Sequence, residues 1–193
     1  IITASFYLVA EKFVNTNGVA YEKTFSDFLK WSFSNESPER VAIEISDAWK
    51  ALDLEKGNYI LWIGHASFLI NLDGTIILTD PIFSKRASPI GIFGPKRLIP
   101  PALNITDLPK IDLVTISHNH YDHLDINSLV KISKNNPDAQ FLVPKGDKKI
   151  LTKRGIENVS EFLWWENSIV KNLKMTFTPV QHWSARGLGD RNK

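Results

Sequence analysis

Three imidazoles and two carboxylates fall within eight positions of this chain, in Ser117-His118-Asn119-His120-Tyr121-Asp122-His123-Leu124-Asp125. The sequence has five histidines and no cysteine, so imidazole and carboxylate are the donors left for a first-row metal. The run Ile111-Asp-Leu-Val-Thr-Ile116 just ahead is apolar enough to read as a buried strand. In an extended turn, residues two apart point the same way. His118 and His120 then converge on one ion, while Asp122 and His123 swing toward a second. A merely polar loop would account for one or two histidines, but not for three of five at the end of one strand. The pattern predicts a metal site.

Two divalent ions a few ångströms apart lower the pKa of a shared water from about 15.7 toward 7, and neutralise charge on an attacked phosphoryl or carbonyl group. That is hydrolytic chemistry, with Asp122 placed to orient the water and take its proton. The first ion needs a third imidazole. His182 in Thr178-Pro-Val-Gln-His-Trp183 offers one, because it follows the alternating segment Leu173-Lys-Met-Thr-Phe177 and so also stands at a strand end. Three further residues are expected behind the ligands or against substrate: His65, Asp80 and Arg97. His65 reads as a residue of the cleft rim or, equally, as a histidine bonded to nearby backbone. Asp80, before Pro81, reads as the partner that fixes a ligand's tautomer or as a turn residue. Arg97 is a phosphate contact or an ordinary surface arginine, the latter slightly favoured. Asp125 reads best as the cap of a helix starting at Ile126.

The elements that must position these groups are legible in outline. Tyr59 to Thr79 reads as strand, short break, strand, an Asp73-Gly74 turn and a third strand. Pro81 to Pro101 is rich in Pro and Gly, has no clear periodicity, and is expected to wall the cleft. After the metal loop come a helix over Ile126–Lys134, a buried strand over Gln140–Pro144, a helix over Gly146–Arg154, and strands over Ser160–Trp165 and Ser168–Val180, the last broken at Asn172. Residues 1 to 56 read as an extension, with a helical spacing capped by Thr24 and a stretch from Arg40 to Leu54 of open type; residues 57–193 form the catalytic domain. Strands interleaved with short helices make the class α/β.

His118-x-His120-x-Asp122-His123 after a hydrophobic strand resembles the signature of the metallo-β-lactamase superfamily. Trp62-Ile-Gly-His-Ala-Ser67, Leu78-Thr-Asp-Pro81, Phe93-Gly-Pro-Lys-Arg97 and Gln181-His-Trp183 with Asp190-Arg-Asn192 resemble its branch of N-acyl-phosphatidylethanolamine-hydrolysing phospholipases D and bacterial relatives. The resemblance runs from about Phe13 to the last residue. It implies an αββα sandwich and two zinc ions, one on His118, His120 and His182, the other on Asp122 and His123. It also implies hydrolysis of a phosphodiester, in a phospholipid or a smaller molecule, with an ester, lactone or amide hydrolase and a non-catalytic metal-binding module as alternatives. The family completes its site with a bridging aspartate in a Gly-Asp-Thr type segment and a late histidine. After His182 this sequence has only Asp190 and no further histidine. The chain is therefore expected to be the N-terminal half of such a sandwich, C-terminally incomplete, with a second ion held largely by water.

Length and composition set the remaining bounds. The 193 residues, 43% hydrophobic, suffice for one real core. A net charge of +2 gives no general drive toward nucleic acid, and none is expected as partner. Lys145-Gly-Asp-Lys-Lys149 and Lys153-Arg154 read as solvated faces. Trp164-Trp165 marks an exposed apolar face, from which a homodimer is one expectation and a peripheral membrane contact another. Ile1 to Ala10 is apolar, either a trimmed leader or a terminal element. No run of about 18 apolar residues spans a membrane. Absence of cysteine fits a cytoplasmic or a periplasmic setting equally.

Overall fold

The computed structural model describes residues 16–17, 24, 26–27, 30, 33–34, 44–89, 91–92, 94–187 and 190. The chain divides into two compact units, one of residues 36–178 and one of residues 1–35 with 179–193. In the smaller unit, Thr24 makes the expected cap. The Asp27 amide donates to Thr24 Oγ1 at 3.2 Å, and the Thr24 amide donates to Asp27 Oδ2 at 2.8 Å. The apolar segment 1–10 and most of the helix expected after Thr24 lie outside the described residues.

The larger unit is built on a six-stranded sheet. Strands β1 (Tyr59–Gly64), β2 (Ser67–Leu72) and β3 (Thr75–Thr79) form an antiparallel meander. Alternating apolar side chains set its register, and the second reversal is the Asp73-Gly74 turn, where both residues take positive φ (50° and 76°). Strands β4 (Leu113–Thr115), β5 (Gln140–Pro144) and β6 (Val159–Phe162) then add in parallel, giving the order β1-β2-β3-β4-β5-β6. Because β2 reverses, β1 runs parallel to β3 and β4. The carboxyl ends of β1, β3, β4 and β5 therefore share one edge of the sheet, where ligands of open α/β sheets gather.

Odd and even positions of the central strands face different layers. Leu69, Ile76, Leu78, Val114, Phe141 and Val143 pack toward helices α1 (Ile126–Asn135) and α2 (Lys148–Thr152), meeting Leu129, Ile132 and Leu151. Ile77, Leu113, Leu142 and Phe162 face the other way, onto Val170, Leu173 and Met175 of a hairpin, β7 (Asn167–Val170) and β8 (Leu173–Thr176). The Lys171-Asn172 turn of that hairpin is pinned by Lys171 Nζ to Asp112 Oδ2 at 2.6 Å and by Thr75 Oγ1 to Asn172 Oδ1 at 3.1 Å. The hairpin covers only part of this face: Ile60 and Trp62 on β1 are exposed. No helix among the described residues is long and apolar enough to cross a membrane.

Several bounds differ from expectation. The strand before the metal loop is Leu113–Thr115 rather than 111–116, and β6 is Val159–Phe162 rather than 160–165. Trp165 takes φ +71° and turns the chain into β7 instead of extending β6. The helix expected over 146–154 is only Lys148–Thr152. Glu161 Oε1 takes the Gly146 and Lys148 amides at 2.9 and 2.8 Å, which fixes a turn where the sequence alone suggested helix. Among the described residues of the open stretch, 44–54, the helical element is a 3₁₀ turn, Ala48–Ala51.

Asp125 caps α1 as expected and also ties it to the β3–β4 connection. Its carboxylate accepts the Asn127 amide at 3.2 Å, the Ser84 amide at 3.0 Å and the Ser128 hydroxyl. Asp125→Ala removes a cap and strands two further donors, so it should cost roughly 2–3 kcal/mol. Urea unfolding of the two chains measures the difference.

Candidate metal centre

The metal loop leaves β4 at the shared carboxyl edge and coils at once, with His123 and Leu124 amides donating to the His120 carbonyl at 3.1 and 2.8 Å. His118 Nε2 and His120 Nδ1 lie 2.8 Å apart. The two rings are hydrogen-bonded to each other and stand close enough to turn to a shared cation. On the other side of the loop, His123 Nε2 lies 3.6 Å from Asp122 Oδ2. The rings of His118 and His123 are 4.0 Å apart, so the two donor groups are adjacent.

Asp80 organises both groups. It sits after β3 with φ +36° and is buried. Its Oδ1 accepts the Ser117 amide at 2.7 Å, and its Oδ2 accepts the Ser117 hydroxyl at 2.7 Å. The same Oδ2 lies 2.9 Å from His123 Nδ1. With the Ser117 proton committed to Asp80, Ser117 Oγ acts as acceptor toward His118 Nδ1 at 2.9 Å. This network turns Nδ1 of both histidines toward Ser117 and Asp80, so that Nε2 is the nitrogen each presents to the site, that of His118 toward His120 Nδ1. Asp80 thus bonds His123, one of the histidines the sequence offers as a ligand.

His65 reaches the site from the β1–β2 turn. Its Nε2 lies 2.9 Å from Asp122 Oδ2, so its ring is engaged with the loop rather than with nearby backbone. Arg97 is not the ordinary surface arginine that the sequence slightly favoured. Its guanidinium donates to the carbonyls of Ile82 and Ile99 and packs near Gly64, where a Cβ would sit 3.2 Å from Nη1. Arg97 is thus a brace of the 81–101 connection, and burial pulls its pKa down, partly offset by Asp125. His182 lies in the smaller unit, where its amide donates to Val180 O at 3.0 Å and its ring lies 6.4 Å from that of Trp183. Asp190 in the same unit accepts the Arg186 and Gly187 amides at 3.0 and 2.8 Å.

Sequence reasoning missed two supports. Ser117 is an ordinary serine until Asp80 is seen beside it. Asn119, between two ligand candidates, donates from Nδ2 to Asp147 Oδ1 at 3.0 Å, and both are buried. That bond ties the metal loop to the turn after β5. A small amide inside a run of metal donors was the one available signal.

The donor set suits a divalent cation: clustered imidazoles, a carboxylate, and a hydrogen-bonded layer behind them. The mixed sheet with helices on one face is the metallo-β-lactamase fold, and the chain belongs to the family described as the beta-lactamase superfamily domain, whose model matches residues 75–193. N-acyl-phosphatidylethanolamine-hydrolyzing phospholipase D 1 of Caenorhabditis elegans is 42% identical over 148 residues, covering 72% of this chain and 41% of that protein. The mitochondrial N-acyl-phosphatidylethanolamine-hydrolyzing phospholipase D of Saccharomyces cerevisiae is 41% identical over 140 residues, covering 70% of this chain and 29% of that one. The chain thus spans well under half the length of these relatives. Among solved structures, the diiron beta-hydroxylase CmlA of Streptomyces venezuelae superposes with a TM-score of 0.50 at 27% identity, over 63% of this chain and 24% of that one.

The electrostatics of the metal-free loop give a pH signature. Burial pushes the His123 imidazole down, but Asp80 and then Asp122 more than offset it, and its pKa is raised above 6.5. Burial pushes the Asp122 carboxyl up, but His123, its own backbone amide and His65 outweigh that, and its pKa falls below 3.8. A raised His123 contributes stability below its unfolded pKa and loses it as pH rises through the folded value. A depressed Asp122 contributes above its unfolded pKa and loses it as pH falls through the folded value. The chelator-treated chain should therefore be most stable in the weakly acidic window between them. Urea midpoints across pH, with an NMR titration of the His123 ring, check both flanks.

Proposed function

We propose that the chain carries the metal centre of a hydrolase acting on phosphodiester bonds, with a phospholipid as the substrate class. The observation supporting this is the convergence of His118, His120, Asp122 and His123 on adjacent donor positions at the carboxyl edge of the sheet. The phosphodiester is favoured because two relatives above 40% identity are named as phospholipases D. His118 and His120 hold one cation, with His182 as third ligand on the sequence argument, and Asp122 and His123 belong to a second. Zinc is the cation proposed, although imidazole and carboxylate donors also accept iron or manganese.

Bound divalent cations supply Lewis acidity and an activated water to such a site. The residues do the rest. Asp122, held ionised at neutral pH, takes the proton released as a water oxygen bonds to phosphorus, and the bond from phosphorus to the leaving alkoxide breaks. Oδ2 already faces two imidazoles, so Oδ1 is the oxygen that holds the proton. Asp80 and Ser117 hold His118 and His123 in the orientation that presents Nε2.

A panel of an N-acyl-phosphatidylethanolamine, a chromogenic phosphodiester, a carboxylic ester and a lactone tests the reading on the 193-residue chain with added zinc. Phosphodiester cleavage abolished by chelator is expected, and Asp122→Asn should lower turnover by about 10²–10⁴-fold. Turnover of ester or lactone alone would make the bond assignment wrong, and a chain that binds no cation would overturn the reading altogether. Asp80→Asn should weaken cation binding by about 10–100-fold, read by competition with a chromophoric chelator.

A further inference from the structure

The connection between β3 and β4 carries Lys85, Arg86, Lys96 and Arg97, and no Asp or Glu stands between Asp80 and Asp107. The chain as a whole has a net charge of only +2, so its positive excess is concentrated here. The same connection exposes aliphatic side chains, Ile92 at 72% and Leu98 at 67%. We propose that this loop docks the protein on an anionic lipid surface, with Ile92 and Leu98 entering the interface and Lys85 and Lys96 meeting the headgroup phosphates. The inference rests on the phospholipid reading above for the class of surface, and adds to it the part of the molecule that meets that surface.

The loop is a closed structure with two paired arms. The Ala87 amide donates to Pro95 O at 3.0 Å, the Arg97 amide to Lys85 O at 2.9 Å, and Arg86 Nη1 to Gly94 O at 2.6 Å. Gly94 takes φ +88° and lies so near the other arm that a Cβ there would meet Ser88 Cβ at 2.8 Å. Both roots are fixed at the sheet edge that carries the metal loop. One follows Asp80 directly, and its Ser84 amide donates to Asp125 Oδ2 at 3.0 Å. The other is held by the Ala102 amide, which donates to Ile63 O at 2.9 Å just ahead of Gly64 and His65. A surface bound by the loop therefore lies on the side of the candidate metal centre.

The chemistry of the loop selects its partner. Between the paired arms the sequence Ser88-Pro-Ile-Gly-Ile-Phe-Gly94 has no charged side chain, while Lys85 and Lys96 stand exposed at its base. An anionic bilayer offers phosphates to cations and, a few ångströms deeper, acyl chains to aliphatic groups, so one surface satisfies both sets at once. A nucleic acid would satisfy the cations but leave Ile92 and Leu98 in water, since neither has a hydrogen-bonding group or a stacking face.

The test uses the full 193-residue chain, treated with chelator, and extruded vesicles of phosphatidylcholine with or without phosphatidylglycerol. Co-sedimentation with the anionic vesicles is expected, weakening as salt rises. Lys85→Glu combined with Lys96→Glu should reduce it by tenfold or more, as should Ile92→Asp alone, with thermal unfolding to show that each variant keeps the fold. The chain has no cysteine, so Ile92→Cys accepts a single nitroxide label. On vesicles that label should become accessible to oxygen and shielded from a water-soluble nickel complex, whereas labels on Ile60→Cys and Ile169→Cys, equally exposed on β1 and β7, should stay in water. Absence of anionic-vesicle binding, binding with the Ile92 label still in water, or immersion of the Ile60 or Ile169 label instead overturns the proposal. Cleavage of a soluble chromogenic phosphodiester by the zinc-loaded chain is read separately, so docking fails alone where cleavage persists without binding, and the phosphodiester reading fails alone where binding persists without cleavage.

Discussion

A single buried carboxylate, Asp80, determines whether the histidines after β4 are a site or merely a polar loop. It receives the Ser117 amide, the Ser117 hydroxyl and the His123 ring at once. Burying an anion is costly unless its lone pairs are filled, and here the contacts that fill them also fix one candidate ligand, His123, and the serine that supports another, His118. The cost of burial and the order of the site are therefore the same interaction. The left-handed backbone at Asp80 is kept because neighbours on two strands specify it: its amide donates to Thr115 O and its carbonyl accepts the Ser67 hydroxyl.

Around that carboxylate the sheet works as a collector. β1, β3, β4 and β5 deliver His65, Asp80, the metal loop and Asp147 to one edge, and each delivery is backed by a buried apolar side chain one to four residues earlier: Ile63, Leu78, Ile116 and Val143. Arg97 takes part from behind. By spending its guanidinium on the Ile82 and Ile99 carbonyls beside Gly64, it holds both ends of a Pro- and Gly-rich connection that has little regular structure of its own.

Much of this was readable because local and global preferences agree. The meander from Tyr59 to Thr79 alternates cleanly and turns on Asp73-Gly74, β5 occupies 140–144 as expected, and α1 begins behind Asp125. The donor pairs were also readable, because their spacing is a property of consecutive residues. What could not be read depends on distant partners. Helix α2 is shortened by Glu161, and β6 ends where Trp165 donates its amide to Phe177 O. The approach of His65 to Asp122 and the brace made by Arg97 are contacts between segments whose sequences give no sign of each other.

The parallel half of the sheet also has a consequence for how the molecule comes into being. β3 and β4 are consecutive in the sheet, but the chain makes the whole excursion from Pro81 to Asp112 between them, and the Asp80 network exists only after they pair. The antiparallel meander, closed by tight turns, costs little loop entropy and is able to form early. The pairing of β4 with β3 and β5 is long-range and slower. Topology therefore places assembly of the candidate donors in a late folding event, which pulse-labelled hydrogen exchange of the β3–β4 pairing would time. On that order an ion bound by the folded chain would act as a latch on the native topology and not as the seed around which it grows.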